Sequence, residues 1–261
     1  MKINNNRTYL KRLIFITMVA IAIFNNASVY AQPSSIDINL SNGAGDALAT
    51  LDVFILLLLL SVIPSIVLMM TSFTRIIIVF SFLRNALGLQ QSPPNQVLVG
   101  ISLFLTLFIM NPVITIITET AYEPYSNEEI TQQEAIDLAI IPVKEFMLRQ
   151  VDSESMGLFL DLSNTTLEVT DETSVQEQMM GLGLEIIVPA FVTSELKRAF
   201  LIGFLLFVPF LIIDLIVAST LMSMGMVMLP PGMISLPFKI MVFILADGWG
   251  LLMQSLVRSF N

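Results

Sequence analysis

Hydrophobic positions along this chain fall into long runs, and the later runs are interrupted by residues that hydrocarbon does not welcome. Val53 to Thr74 is an uncharged run of 22 residues with five consecutive leucines, Leu56 to Leu60. That is long enough to span a bilayer, and Pro64 in its middle predicts a kink. Arg75 and Arg84 bracket an apolar stretch that stops at Gly88, and QQSPPN over Gln90 to Asn95 is turn chemistry. Val97 to Ile117 is the second spanning candidate, and its Asn111–Pro112 step predicts a broken or distorted last turn. Ala199 to Phe238 then contributes 40 residues whose only charge is Asp214. One straight helix of that length is about 60 Å, twice the hydrocarbon core, so the chain is expected to turn back at GMVMLPPG, residues 225–232. Ile240 to Val257 forms the fourth segment, with Asp247 inside it.

Residues 119–185 have a different pattern. They hold 15 Asp/Glu against Lys144 and Arg149 alone, and read as an acidic, partly helical soluble insert. Thr131 and Glu134 fit a capping box. A short helix follows that Pro142 ends or kinks, then a helical stretch with Glu145 and Arg149 four apart. Residues 164–174 read as a loop.

The expected fold is therefore all-α and of the integral membrane type, with two kinked helical hairpins. The division is a cleaved signal peptide at 1–31, an exported flexible arm at 32–50, a first hairpin at 51–118, the acidic region at 119–185 and a second hairpin at 186–261. The leader reading rests on Lys2, Arg7, Lys11 and Arg12 ahead of the apolar core Leu13 to Phe24, then Val29 and Ala31.

Composition narrows the chemistry. Mean hydropathy is +0.83 and only 13% of residues are charged, where soluble domains carry about 25%. Cysteine and histidine are both absent. No thiol nucleophile, thiolate site or imidazole base exists, so an enzyme is not expected, nor a metal site or cofactor. Removing the leader leaves 8 basic and 21 acidic residues, a net of −13, which disfavours nucleic acid as a partner. An ionised side chain in hydrocarbon costs about 2.5–3.5 kcal/mol on insertion scales. Asp214, Lys239 and Asp247 are thus expected to face other helices, other subunits or water. Lys239 and Asp247 lie about 80° apart on a helix, so each needs a partner elsewhere, while Glu195 and Arg198 are spaced to pair locally.

Orientation brings a conflict. An exported arm places Arg75 and Arg84 in a cytoplasmic loop, as the positive-inside rule prefers. Lys197 and Arg198 then fall on the outer side, against that rule. The second hairpin is expected not to sit in the bilayer as an ordinary pair.

Several motifs in order carry a resemblance: MTSFTRIIIVFSFLRNALG from Met70, PAFVTSELKRAFLIGF from Pro189, PFLIIDLIVA from Pro209 and LPFKIMVFILADGW from Leu236. Together they resemble the P subunit of the flagellar type III protein export gate and its virulence-secretion relatives, from about Leu51 to the C-terminus. The resemblance implies a channel-forming core subunit of a helical, oligomeric pore that passes unfolded flagellar substrates across the bacterial inner membrane. It implies about five copies wound with R and Q subunits in the basal body, with A and B-type export proteins and the basal-body ring nearby, and periplasmic-side exposure. It also implies a pore gasket at the methionine turn, Met226 and Met228, with Val227 at a position often methionine in relatives. Glu195, Lys197, Arg198, Asp214, Lys239 and Asp247 read on their own as buried ion pairs or subunit contacts for assembly, with a proton relay as the alternative. A secondary transporter that couples ions through Asp214, Lys239 and Asp247 is the competing reading, because broken helices and buried charges suit that class too.

Overall fold

A computed structural model describes residues 57, 61–62, 64–66, 68–165, 172–226 and 228–260. The expected leader, the exported arm, most of the first apolar run and Val227 lie outside the described residues. The described chain is all-α. The account below concerns the unit from Val67 onward.

Helix α1, Phe73–Ala86, contains neither proline nor glycine and buries Arg75, Ile76, Val79, Phe80, Leu83 and Ala86. Apart from Arg75, these follow the three- and four-residue spacing of one helix face. Gly88 ends it with φ +77°. Its N–H donates to Asn85 O at 3.0 Å and that of Leu89 to Arg84 O at 3.1 Å, the paired bonds of a Schellman stop that favours glycine.

Helix α2, Asn95–Ile117, runs through Pro112. The expected break is displaced, because the wider π-helical turn comes at Thr118–Tyr122 and leads into one more α-turn, Glu123–Ser126. Threonine hydroxyls follow the proline and donate back four residues: Thr115 to Asn111 O at 2.9 Å, Thr118 to Ile114 O at 2.8 Å. Such back-bonds keep the hydroxyls satisfied within the apolar helix and favour local bending.

The acidic region forms α3 (Gln132–Gln150), α4 (Ser153–Leu162) and α5 (Glu172–Gly181). The capping box of Thr131 and Glu134 starts α3, and Arg149 pairs with Glu145. Pro142 lies within α3 without ending it. Asp152 caps α4 by accepting from the Ser155 N–H at 2.8 Å. Burial raises the Asp152 carboxyl, but the bonds from Ser155 and Ser194 and the Lys197 ammonium outweigh it and hold the group below its usual range. The stretch expected to be a loop up to residue 174 is already helical from Glu172.

Helix α6, Leu184–Ser223, is continuous over 40 residues despite Pro189 and Pro209. Its first turns pack Ile187, Ala190 and Phe191 against Met147 of α3 and Met156 of α4. Farther along, Ala199 and Phe210 pack against α1. The insert and the second hairpin therefore share one helix. Contact with α1 is tightest at Gly203, where a Cβ would lie 2.5 Å from the Phe82 ring.

The chain turns at Met224 and Gly225, and Pro231 opens α7, Pro231–Leu245. Proline suits this first helical position because its missing N–H would lack an intrahelical partner anyway. Helix α8, Gly248–Arg258, follows at a 63° bend. The fourth segment thus begins nine residues before the expected Ile240 and breaks at Asp247. Among the described residues, Asn95–Ser126 and Leu184–Ser223 are long and apolar enough to cross a membrane, and the bent α7–α8 pair qualifies as a third if taken together. The protein is an all-α membrane protein.

Candidate gate turn and buried charges

The α6–α7 turn carries its methionines outward. Met228 is 99% exposed, Met222, Met224 and Met226 are exposed too, and so is Met233 just inside α7. The left-handed Gly225, at φ +75°, lets the chain reverse. Apolar exposure continues below the turn on α6, at Leu211, Ile212, Leu215 and Ile216, and on α7, at Met241, Ile244 and Leu245. Exposed apolar surface of this extent marks contact with lipid or with other chains.

Charges in the same helices are satisfied from within. Asp214 on α6 accepts from Lys239 Nζ at 2.6 Å and from the Ser235 hydroxyl at 2.5 Å. Lys239 also donates to the Ala86 carbonyl at the end of α1, at 3.0 Å. The ammonium thus closes one of the carbonyls a helix leaves unpaired and ties α1, α6 and α7 together. The Lys239 side chain is 6% exposed and that of Asp214 33%.

A second cluster lies deeper. Arg75 and Glu195 are each fully buried. The guanidinium grips the carboxylate as a fork, through Nε to Oε2 at 2.8 Å and through Nη2 to Oε1. Planar two-point pairing of this kind is what arginine provides and lysine does not. Nη2 also reaches Gln150 Oε1 at 3.2 Å, and Nη1 reaches the backbone carbonyl and hydroxyl of Ser259, both at 2.9 Å. Arg198 donates to the same Gln150 oxygen at 3.0 Å, and Gln150 Nε2 donates to Phe260 O at 3.0 Å. The Phe260 ring covers the guanidinium, with its centroid 3.7 Å from Cζ.

This placement departs from the sequence expectation in three ways. Arg75 is a helix residue buried in the core, not a solvated loop cation, because Glu195 and Ser259 come to it from distant parts of the chain. Glu195 takes Arg75 as its hydrogen-bond partner, while the Arg198 guanidinium is turned to Gln150. The six charges expected to be buried also divide. Glu195 and Lys239 are buried and Arg198 and Asp214 are half-buried, but Lys197 and Asp247 are exposed on the single chain. Lys197 pairs with Glu154 and lies 4.0 Å from Asp152, both at the start of the α4 region. Arg84 donates to the Asn95 side chain across the α1–α2 turn. Asp247 sits at the bend with φ +49°, ψ +49°.

These features sit within a stretch that has a name. A family model described as the FliP family matches residues 56–256. The chain belongs to the FliP family. The flagellar biosynthetic protein FliP of Pectobacterium carotovorum subsp. carotovorum is 49% identical over 239 residues, 91% of this chain and 90% of that protein. Those of Aquifex aeolicus (strain VF5) and Bacillus subtilis (strain 168) are 45% and 48% identical, over 93% and 81% of this chain and 98% and 92% of theirs.

The FliP-family match contains both charge clusters except for Ser259 and Phe260, which lie beyond its end. Sequence reasoning missed Gln150, Ser235, Ser259 and Phe260. Ser235 carried a weak signal, four residues before Lys239 on one helix face. Gln150 and the two C-terminal residues carried none, since their partner Arg75 lies far away in the chain.

Proposed function

We propose that the chain is a channel-forming core subunit of the flagellar type III protein export gate, passing unfolded substrates across the inner membrane. Outward methionines and aliphatic side chains around a turn, with the charges of the same helices paired inside the chain, carry this reading. A surface so built is completed by further copies and by small hydrophobic subunits such as the R and Q partners. Methionine suits the turn because its three rotatable bonds and polarizable sulfur adapt to irregular contacts. Met226, Met228 and Val227 form the gasket in this reading, and the stiffer Val227 makes it less adaptable. The subunit holds and seals a passage; it catalyses no reaction and needs no cofactor. The acidic insert lies on the periplasmic side, and the remaining partners are the A and B-type export proteins, the basal-body ring and the unfolded cargo.

The Asp214–Lys239 contact weakens the transporter alternative, because the ammonium is already committed to Asp214 and Ala86. The double replacement Met226→Ala with Met228→Ala is expected to leave assembly intact and to raise ion leakage through the closed gate. Membrane conductance of cells holding the assembled variant is the measurement, and wild-type conductance would remove the gasket role.

A further inference from the structure

Helix α8 differs from the other apolar helices. It buries Leu252 and Leu256, continued past its end by Phe260, against the core built on α1 and α6, with Met253 packed beside them and Trp249 against Phe80 and Phe243. Its outer face holds Leu251, Gln254, Ser255 and Arg258, all exposed. A helix with a largely polar outer face is held to the rest of the chain through its inner face alone.

Both ends of α8 are specialised. At its start Asp247 takes a left-handed conformation, which most residues with a side chain adopt only at a cost and aspartate less so. Glycines flank it on the helix side. A Cβ at Gly248 would lie 2.2 Å from the Phe243 ring, and one at Gly250 would lie 2.4 Å from the Asp247 carboxylate. The 63° bend thus joins a left-handed Asp247 to Gly248, whose position beside the Phe243 ring leaves no room for a side chain. At the other end the chain is gripped. Arg75 holds the Ser259 carbonyl and hydroxyl, Gln150 donates to the Phe260 carbonyl, and the Phe260 ring packs on the guanidinium and stacks with Phe146 at 6.2 Å.

We propose that the C-terminal Ser259–Phe260 segment is a latch, and that α8 is a lever hinged at Asp247 and held shut by Arg75 and Gln150. The receptor for the latch is assembled from α1, α3 and α6, so a movement of the acidic insert is transmitted to α8 through Gln150. Closing the latch completes the hydrogen bonds of a guanidinium that Glu195 alone leaves partly unpaired. Opening it frees α8 without separating Arg75 from Glu195. The latch goes beyond the gate reading and is tested apart from it.

The absence of cysteine makes a direct test possible. Full-length chains carrying Leu256→Cys or Ile187→Cys report on the two cores, since both positions are buried, at 1% and 0% exposure. The complex purified from membranes is treated with a water-soluble maleimide. Gln150→Leu, or removal of residues 259–261, is expected to speed labelling at position 256 by about tenfold or more while position 187 stays protected, as local opening requires. Unchanged labelling at 256 overturns the latch. So does faster labelling at both positions, because loss of the latch then unfolds the chain instead of freeing α8. If the truncated chain fails to accumulate, Gln150→Leu decides the matter alone.

Discussion

Two charge clusters lie in one chain, and they are built to different rules. Arg75 and Glu195 are wholly buried and are joined by Gln150, Arg198 and the C-terminal residues. Asp214 and Lys239 meet nearer the surface, where the carboxylate keeps 33% of its exposure. The deep pair has a bidentate fork and partners for its remaining donors. The shallow pair has one ammonium bond, one hydroxyl and one helix-end carbonyl. Full burial demands complete satisfaction, because a buried charge whose partner is removed has no water to turn to. Partial exposure tolerates an incomplete set, because water can meet what the chain leaves unpaired.

Substitutions that strand one charge separate the two clusters most sharply. Glu195→Ala leaves the Arg75 guanidinium buried without its carboxylate, and is expected to destabilise the chain by about 3–5 kcal/mol. Unfolding in mixed detergent micelles measures it; a loss below that for the shallow cluster would reverse the ranking. Lys239→Met strands a carboxylate that can still reach Ser235 and the surface, so the expected loss is smaller, about 1–3 kcal/mol. The same unfolding assay reads it, and Asp214→Asn in the Lys239→Met background should recover part of the loss.

The smallest effect serves as a solvated baseline. The exposed Glu134 carboxyl is held below its ordinary range by the Thr131 backbone N–H and hydroxyl. A group with a depressed folded value adds stability above its unfolded value and loses it as pH falls through the folded one. The α3 cap should therefore weaken on acidification below the ordinary glutamate range. Glu134→Gln should flatten this dependence when amide exchange at the start of α3 is followed against pH. A dependence as steep in the variant would assign it to another group.

The legible parts of this protein were those written locally. Hydropathy runs predicted an all-helical membrane protein, GMVMLPPG predicted the reversal and Thr131–Glu134 predicted a cap, because each depends on residues a few positions apart. Proline was read as a stop more readily than the fold uses it: Pro142 lies inside a continuous helix, and the distortion expected near Pro112 comes later, at Thr118–Tyr122, because a helix can forgo one backbone bond while its other bonds are kept. Of the second-hairpin charges expected to have partners, Asp214, Lys239 and Glu195 find them in this chain, while Asp247 is exposed; which partner each takes was not readable.

By itself the sequence determined the helical membrane character, the family and the methionine turn, since these follow from composition, period and ordered motifs. Only the tertiary structure decided that Arg75 answers Glu195 from 120 positions away, and that the last residues of the chain close over both. Hydropathy accumulates residue by residue along a segment. An ion pair depends on which segments meet, and that is settled when α1, α3, α6 and α8 pack around a common point.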